Sequence, residues 1–168
     1  MRITAISAAA ALMLLSVSTS LMAQRPDDQI DPKSLALLEE GRGAKAAGNL
    51  DGAQDALETA LAVDPRNRQA FIVLAEIARE RALPGKAIRL YREALALEPN
   101  DLVALRGQGE ALVAKGAVAK ARENLAKIKT ICNSDCGDST ALAASIAKGP
   151  PPTATAQAEP AKATTAKP

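Results

Sequence analysis

The sequence has no histidine and no tryptophan, and its aromatic residues are one phenylalanine and one tyrosine. Without histidine, the chain cannot build His-based metal sites, Ser-His or Cys-His catalytic pairs, or a C-x-x-C-H haem attachment site. Scarce aromatic side chains argue against stacking on nucleic-acid bases. Charge argues the same way, because 21 basic and 19 acidic residues give a formal net charge of +2, not a strongly basic phosphate-binding surface.

The first 23 residues have the pattern of a secretory signal peptide. A single basic residue at position 2 precedes an uncharged stretch over 3–17, and Ser and Thr interrupt the apolar run at 18–20. We expect cleavage after Ala23, which predicts a periplasmic or secreted protein with no stable membrane insertion. The alternative is a retained anchor, because residues 3–23 approach the ~20 apolar residues that span a bilayer.

The other end is predicted to be a disordered tail. Residues 149–168 are rich in Pro, Ala, Thr and Lys and contain no large apolar side chain, so they bury too little surface to offset the entropy of ordering. Between the ends, we expect a linker over 24–33 and one ordered domain over 34–148.

That ordered domain contains a repeat of 34 residues. Both aromatic residues fall in its aligned columns, and Pro65 and Pro99 close the first two units. Such a period is the mark of stacked helix–turn–helix units. The aligned columns are Leu37/Phe71/Leu105, Ala53/Ala87/Ala121, Leu57/Tyr91/Leu125 and Ala60/Ala94/Ile128.

Apolar residues at three- and four-residue steps predict two helices in each unit. Gly48 and Gly116 lie where the first helices of units one and three must stop, and glycine adopts the left-handed conformation at little cost. The predicted pairs are 34–47 with 51–64, 68–81 with 85–97, and 102–115 with 118–132. A further helix over 138–148 has polar capping residues and an apolar side, and it would cover the last hairpin.

These features resemble the tetratricopeptide repeat (TPR) family over roughly residues 34–135. In that family a small residue near the centre of the first helix allows close helix packing, and Gly41, Ala75 and Gly109 occupy that position here. The resemblance implies an all-α fold: a right-handed α-solenoid of three hairpins, about 34–67, 68–101 and 102–135, with a capping helix. The third unit departs most, with Ile128 in a small-residue column and Asn133 in place of the closing proline.

The resemblance also implies a non-enzymatic scaffold or adaptor that takes no cofactor and binds a peptide or helix of another protein in a concave groove. Together with the predicted export, it points to a protein of the bacterial cell envelope. The first helix of each unit would line that groove. The alternative is that these positions pack against the protein's own helices or pair two copies of the chain. Carried over by position, the groove residues are Leu35, Leu38, Glu39, Arg42, Gln69, Ile72, Val73, Glu76, Arg79, Val103, Arg106, Glu110 and Val113.

One specialised activity of the family is not expected. Chaperone-binding members hold a terminal carboxylate with a cluster of Lys, Asn and Arg. Of the matching positions in this sequence, Arg42 alone could bind an anion. Those positions are Leu38, Arg42, Val73, Val103 and Gly107.

The two cysteines, Cys132 and Cys136, are spaced C-x3-C. Export would place them in an oxidising compartment, which favours a disulfide that locks the turn before the last helix. Reduced buried thiols and a redox-active pair are the alternatives. The redox alternative would make the protein an envelope thiol-disulfide enzyme, and a self-associating structural protein is the remaining functional alternative.

Overall fold

A computed structural model describes residues 29–152, which fold into seven helices and contain no strand. This confirms the all-α prediction. The signal-peptide prediction lies outside the described residues, as does most of the predicted tail. The helices are α1 (Pro32–Ala46), α2 (Leu50–Val63), α3 (Arg68–Glu80), α4 (Pro84–Leu97), α5 (Leu102–Ala114), α6 (Val118–Cys132) and α7 (Gly137–Lys148).

The helices pack as three successive hairpins, α1–α2, α3–α4 and α5–α6, and α7 packs against both α5 and α6. The first helices of neighbouring hairpins also touch, since α1 contacts α3 and α3 contacts α5. This confirms the predicted solenoid of three hairpins and its capping helix. Helix α1 begins two residues before the predicted start, because the Asp31 carboxylate accepts a hydrogen bond from the Lys33 N–H at 2.7 Å and Pro32 fits the first helical position.

The turn inside each hairpin uses one backbone conformation. Gly48 and Gly116 have φ values of 78° and 83°, as predicted for residues that stop a helix. Ala82 holds the equivalent position in the second hairpin, with a φ of 55°. An alanine in this left-handed region carries a conformational cost that glycine avoids.

Small residues allow neighbouring helices to pack closely. We call these close helix contacts seams. A Cβ atom added at Gly41 would lie 2.6 Å from Leu57 Cγ, and one at Gly109 would lie 2.6 Å from Leu142 Cδ1. Ala75, between them in the same column, is fully buried. The large residue Ile128 is also fully buried, in a cluster with Leu105 and Leu142 of the capping helix. The third unit thus departs from the repeat where it meets α7.

A buried polar network joins the first two hairpins. Asn67 Nδ2 donates to Ser34 Oγ at 2.8 Å, and Ser34 Oγ donates to the Ala60 carbonyl at 2.8 Å. The Asp64 carboxylate accepts from the Asp31 N–H at 2.9 Å and from the Arg66 side chain. The Arg66 guanidinium lowers the pKa of Asp64 to about 2, helped by the backbone N–H donors and opposed by burial.

Candidate functional site

The first helices of the three hairpins and the capping helix share one face, and two depressions lie on it. The large groove, about 1130 Å³, is lined by residues of α3, α5 and α7 together with Lys45 of α1 and Tyr91 of α4. The small groove, about 380 Å³, lies between α1 and α3 and also includes Val103. The large groove is lined by Lys45, Glu76, Arg79, Glu80, Ala82, Pro84, Tyr91, Val103, Arg106, Gly107, Glu110, Ala114, Lys115, Ala144, Ser145, Lys148 and Pro151. The small groove is lined by Arg42, Lys45, Ala46, Gln69, Ile72, Val73, Glu76, Glu80 and Val103.

Ion pairs cross this face from one hairpin to the next. Lys45 Nζ of α1 lies 2.7 Å from Glu76 Oε2 of α3, and one repeat later Arg79 Nη2 lies 2.5 Å from Glu110 Oε2 of α5. The repeat sets this pattern, because each cation precedes its carboxylate by the same 31 residues. Burial by itself lowers the pKa of Lys45, but hydrogen bonds to Glu76 and to Glu80, 3.1 Å away, raise it overall.

The repeating ion pairs between hairpins do not continue to the capping helix. One repeat further on, the two positions are Val113 and Ala144, which carry no charge. Arg106 makes the connection instead, with its Nε 2.7 Å from Asp138 Oδ1 of α7 and its Nη1 3.6 Å from Glu110 Oε1. The wall that α7 contributes to the large groove therefore consists of small side chains and Lys148.

Tyr91 lies at the floor of the large groove, where it is a buried part of the lining. This side chain is buried, with 1% of its surface exposed, and its ring occupies the space beside Gly107 that a Cβ atom would fill. Burial raises the pKa of the Tyr91 hydroxyl despite the opposing hydrogen bond from the Arg79 guanidinium. Burial alone lowers the pKa of Arg79, but Tyr91 and Glu110 raise it above its ordinary value. The floor thus presents a neutral phenol and a fixed guanidinium.

Several predicted groove residues do lie on this open face. Val103 is exposed and borders both grooves, whereas Leu35 is exposed but lines neither of them. Arg42 donates to Glu39 Oε1 at 2.7 Å and to Gln69 Oε1 at 3.0 Å. The remaining polar residues of the prediction, Glu76, Arg79, Arg106 and Glu110, line the large groove.

Other predicted groove residues belong to the packing between helices. Leu38 and Val113 are each 3% exposed and pack in clusters at opposite ends of the array, so we reassign both to the core. Ile72 and Val73 are also buried, although both border the small groove. Leu38 and Val113 thus pack within the array, while Ile72 and Val73 both pack within it and border the small groove.

Sequence reasoning missed several residues of the large groove. From the sequence alone, Tyr91 and Gly107 are packing or motif positions, and nothing marks Lys115, Lys148 or Ser145 as groove residues. A search for opposite charges 31 residues apart, three fewer than the repeat length, would have found Lys45. No comparable signal marks Lys148, because its position depends on how α7 closes the end of the array.

The two cysteines lie at the junction of α6 and α7, where their Sγ atoms are 2.14 Å apart. Both are partly buried against the cluster that contains Ile128 and Leu142. Neither lines the large or the small groove. This position couples the pair to the placement of α7 and not to the groove surface.

Two negative findings apply to residues 29–152. Within this range, no helix combines the length and apolarity needed to cross a bilayer. Across the same residues, no cluster of three or more His, Cys, Asp or Glu side chains is placed to bind a metal ion.

The chain matches the model of a known family. The model of the family described as Tetratricopeptide repeat matches residues 38–101 and 82–135, which together span more than half of the chain. No curated protein matches the sequence significantly.

Solved structures share the fold. The first TPR of Spaghetti (RPAP3), bound to the HSP90 peptide SRMEEVD, aligns with a TM-score of 0.65 at 20% identity, over 72% of this chain and 96% of that one. The C-terminal TPR-containing domain of a Plasmodium falciparum FK506-binding protein gives 0.61 at 19% identity, over 74% and 93%. A Thermobaculum terrenum O-GlcNAc transferase mutant gives 0.55 at 27% identity, over 59% of this chain but only 19% of the transferase.

Proposed function

Because the chain belongs to the tetratricopeptide repeat family, we propose that it is a non-enzymatic adaptor of the bacterial cell envelope that binds a peptide or helix of a partner protein in the large groove. The groove itself carries this proposal. Its volume of about 1130 Å³ exceeds the roughly 300–1,000 Å³ of small-molecule pockets. An open surface of this size suits a segment of polypeptide.

The lining of the groove supports a peptide ligand. Val103, with 41% of its surface exposed, offers apolar contact, while the ion pairs around Glu110 are fixed between helices. Apolar contact beside fixed polar groups is how grooves recognise amphipathic helices and extended segments. Since Arg79 and Glu110 already pair with each other, they hold the shape of the groove before any ligand arrives.

The manner of binding differs from a carboxylate clamp at the family's usual positions. The Spaghetti structure contains an HSP90 peptide, but its 20% identity to this chain supports the fold alone. At the matching positions, Leu38 and Val73 are buried apolar residues and Gly107 has no side chain. We therefore propose a partner other than a chaperone tail held by those residues.

Export to the periplasm or beyond is part of the proposal. The charged start, apolar middle and small residue at Ala23 support a cleaved signal peptide. A disulfide between Cys132 and Cys136 fits an oxidising compartment, and the proximity of the two sulfur atoms supports it. Its proposed role is to hold the start of α7, which forms one wall of the groove.

Site-specific photo-crosslinking in cells tests the adaptor function. A photoreactive amino acid replaces Val103 in the groove or, as a control, Leu97, which has nearly the same exposure but lines neither groove. We expect position 103 to crosslink one or a few envelope proteins that position 97 does not. Identical products from both positions, or crosslinks only between copies of this chain, would contradict the proposal. N-terminal sequencing of the recovered protein tests cleavage after Ala23.

A further inference from the structure

We propose that the large groove binds an acidic segment of its partner, and that Lys115 and Lys148 are the side chains that receive its carboxylates. This inference rests on the proposed function and specifies the chemistry of the ligand. It follows from the way charges are distributed and paired in the groove.

The groove lining contains more positive than negative side chains. Five basic residues and three acidic residues line it, which leaves an excess of two positive charges. All three acidic side chains are already engaged. Glu76 and Glu80 pair with Lys45 at 2.7 and 3.1 Å, and Glu110 pairs with Arg79 and Arg106 at 2.5 and 3.6 Å.

The excess charge therefore resides on two lysines. Among residues 29–152, neither Lys115 nor Lys148 makes an ion pair or a side-chain hydrogen bond. Lys115 follows the last residue of α5, and Lys148 is the last residue of α7. Both are exposed and line the same groove, so one ligand segment could contact both.

The series of ion pairs between hairpins does not continue into the wall that α7 contributes to the groove. In each of the first two hairpins, a cation of the first helix pairs with a carboxylate on the first helix of the next hairpin, but the corresponding positions of α5 and α7 are Val113 and Ala144. The capping helix consequently brings no acidic side chain into the groove lining. A ligand carboxylate would supply the negative charge that α7 does not bring to the groove.

The chain's own C-terminal segment does not supply the missing negative charge. Pro151, near the end of the described residues, lines the groove, and residues 153–168 follow it in the sequence. This segment contains one acidic side chain, Glu159, against Lys162 and Lys167. Charge complementarity therefore favours a separate partner with several carboxylates.

Binding of three synthetic peptides tests this inference. The peptides share an Ala/Leu scaffold and differ at four positions, which are all Glu, all Gln or all Lys, and each carries a fluorescent label for anisotropy. We expect the Glu peptide to bind the signal-cleaved protein at least about fivefold more tightly than the Gln peptide, and this preference to shrink as salt rises. The Lys peptide should bind most weakly.

Charge-matched variants identify the residues responsible. The double variant Lys115→Gln/Lys148→Gln should lose the preference for Glu while keeping the affinity for the Gln peptide. The control Lys120→Gln/Arg122→Gln removes the same charge from exposed positions on α6 that lie outside the groove, and it should keep the preference. Equal loss in both double variants would overturn the inference, because long-range charge would then be sufficient.

Nuclear magnetic resonance extends the test to weak binding. With the Glu peptide at millimolar concentration, the Lys115 and Lys148 signals should shift, and the Lys120 signal should not. No shift at either groove lysine overturns the assignment, whatever the peptide affinity. Failure of this kind remains distinguishable from failure of the adaptor function, because partner crosslinking from position 103 does not depend on ligand charge.

Discussion

The seams between the helices and the groove-bearing face are under different constraints, although the same 34-residue repeat builds both. At the seams, Gly41, Ala75 and Gly109 keep one small residue in each unit, and the neighbouring side chains fill the available space. On the groove-bearing face, the repeat provides positions but lets their chemistry vary. Lys45 and Arg79 are cations that line the large groove, whereas the matching residue of the third unit, Val113, packs in the core. The comparison teaches that packing constrains the seams in every unit, while the face can change one unit at a time.

The largest effect should come from the seam that underlies the groove. Tyr91→Ala removes a buried ring and leaves a cavity, so we expect the free energy of unfolding to fall by about 3–5 kcal/mol. The matched change on the face, Val103→Ala, should cost less than about 1 kcal/mol because Val103 is 41% exposed. Urea denaturation followed by circular dichroism measures both. Equal losses of unfolding free energy in the two variants would contradict the proposed difference between seam and face.

The buried carboxylate of Asp64, at the junction of the first two hairpins, should have the next largest effect on stability. The pKa of Asp64 is lowered from 3.8 to about 2 in the folded protein, so its stabilisation is present above pH 4 and lost as the pH falls towards 2. Asp64→Asn should cost about 2 kcal/mol at neutral pH and flatten the acid dependence of stability. The control Asp55→Asn alters an exposed carboxylate and should cost much less stability at neutral pH than Asp64→Asn.

The turns inside the hairpins should respond in opposite directions to exchanges of glycine and alanine. Gly48→Ala should destabilise by about 1 kcal/mol through its positive φ alone, because a Cβ atom there meets nothing within 4 Å. Ala82→Gly should stabilise by about 0.5 kcal/mol, since relief of the left-handed conformation exceeds the entropy cost of glycine. Thermal melts that shift in the same direction for both variants would contradict the shared turn geometry.

The smallest effect on stability should come from the ion pairs of the face. Lys45→Gln removes the pairs with Glu76 and Glu80, which are partly exposed, and we expect a loss of about 0.5 kcal/mol that shrinks in high salt. Lys86→Gln serves as a control, because its distance of 3.9 Å from Glu58 places it in a weaker pair. A loss comparable to that of Tyr91→Ala would show that the face also holds the array together.

The sequence predicted the fold well because seam residues recur. Ala53, Ala87 and Ala121 are all buried without exposure, so a column of small residues was enough to locate helix contacts. The sequence also predicted the capping helix, in which Leu142 is buried. Ile128 showed that the third unit was different, but only the structure shows that its larger side chain fills the space against α7.

The candidate site was harder to predict because a column identifies a helix face without fixing its angle. The repeat predicts that Leu38 and Val103 lie on the same surface, yet Leu38 is 3% exposed and Val103 is 41% exposed. The groove lysines were missed for a related reason. Lys148 reaches the groove because α7 packs on α5 and α6, and no repeat precedent determines that packing.

The position of Tyr91 gives the protein a built-in optical reporter. It is the chain's single tyrosine, and there is no tryptophan to mask it, so ultraviolet emission from the whole protein originates at the base of the groove. A ligand that shifts Arg79 would alter the environment of that phenol and its fluorescence. Binding can therefore be followed without any label, provided that the added peptide contains neither tyrosine nor tryptophan.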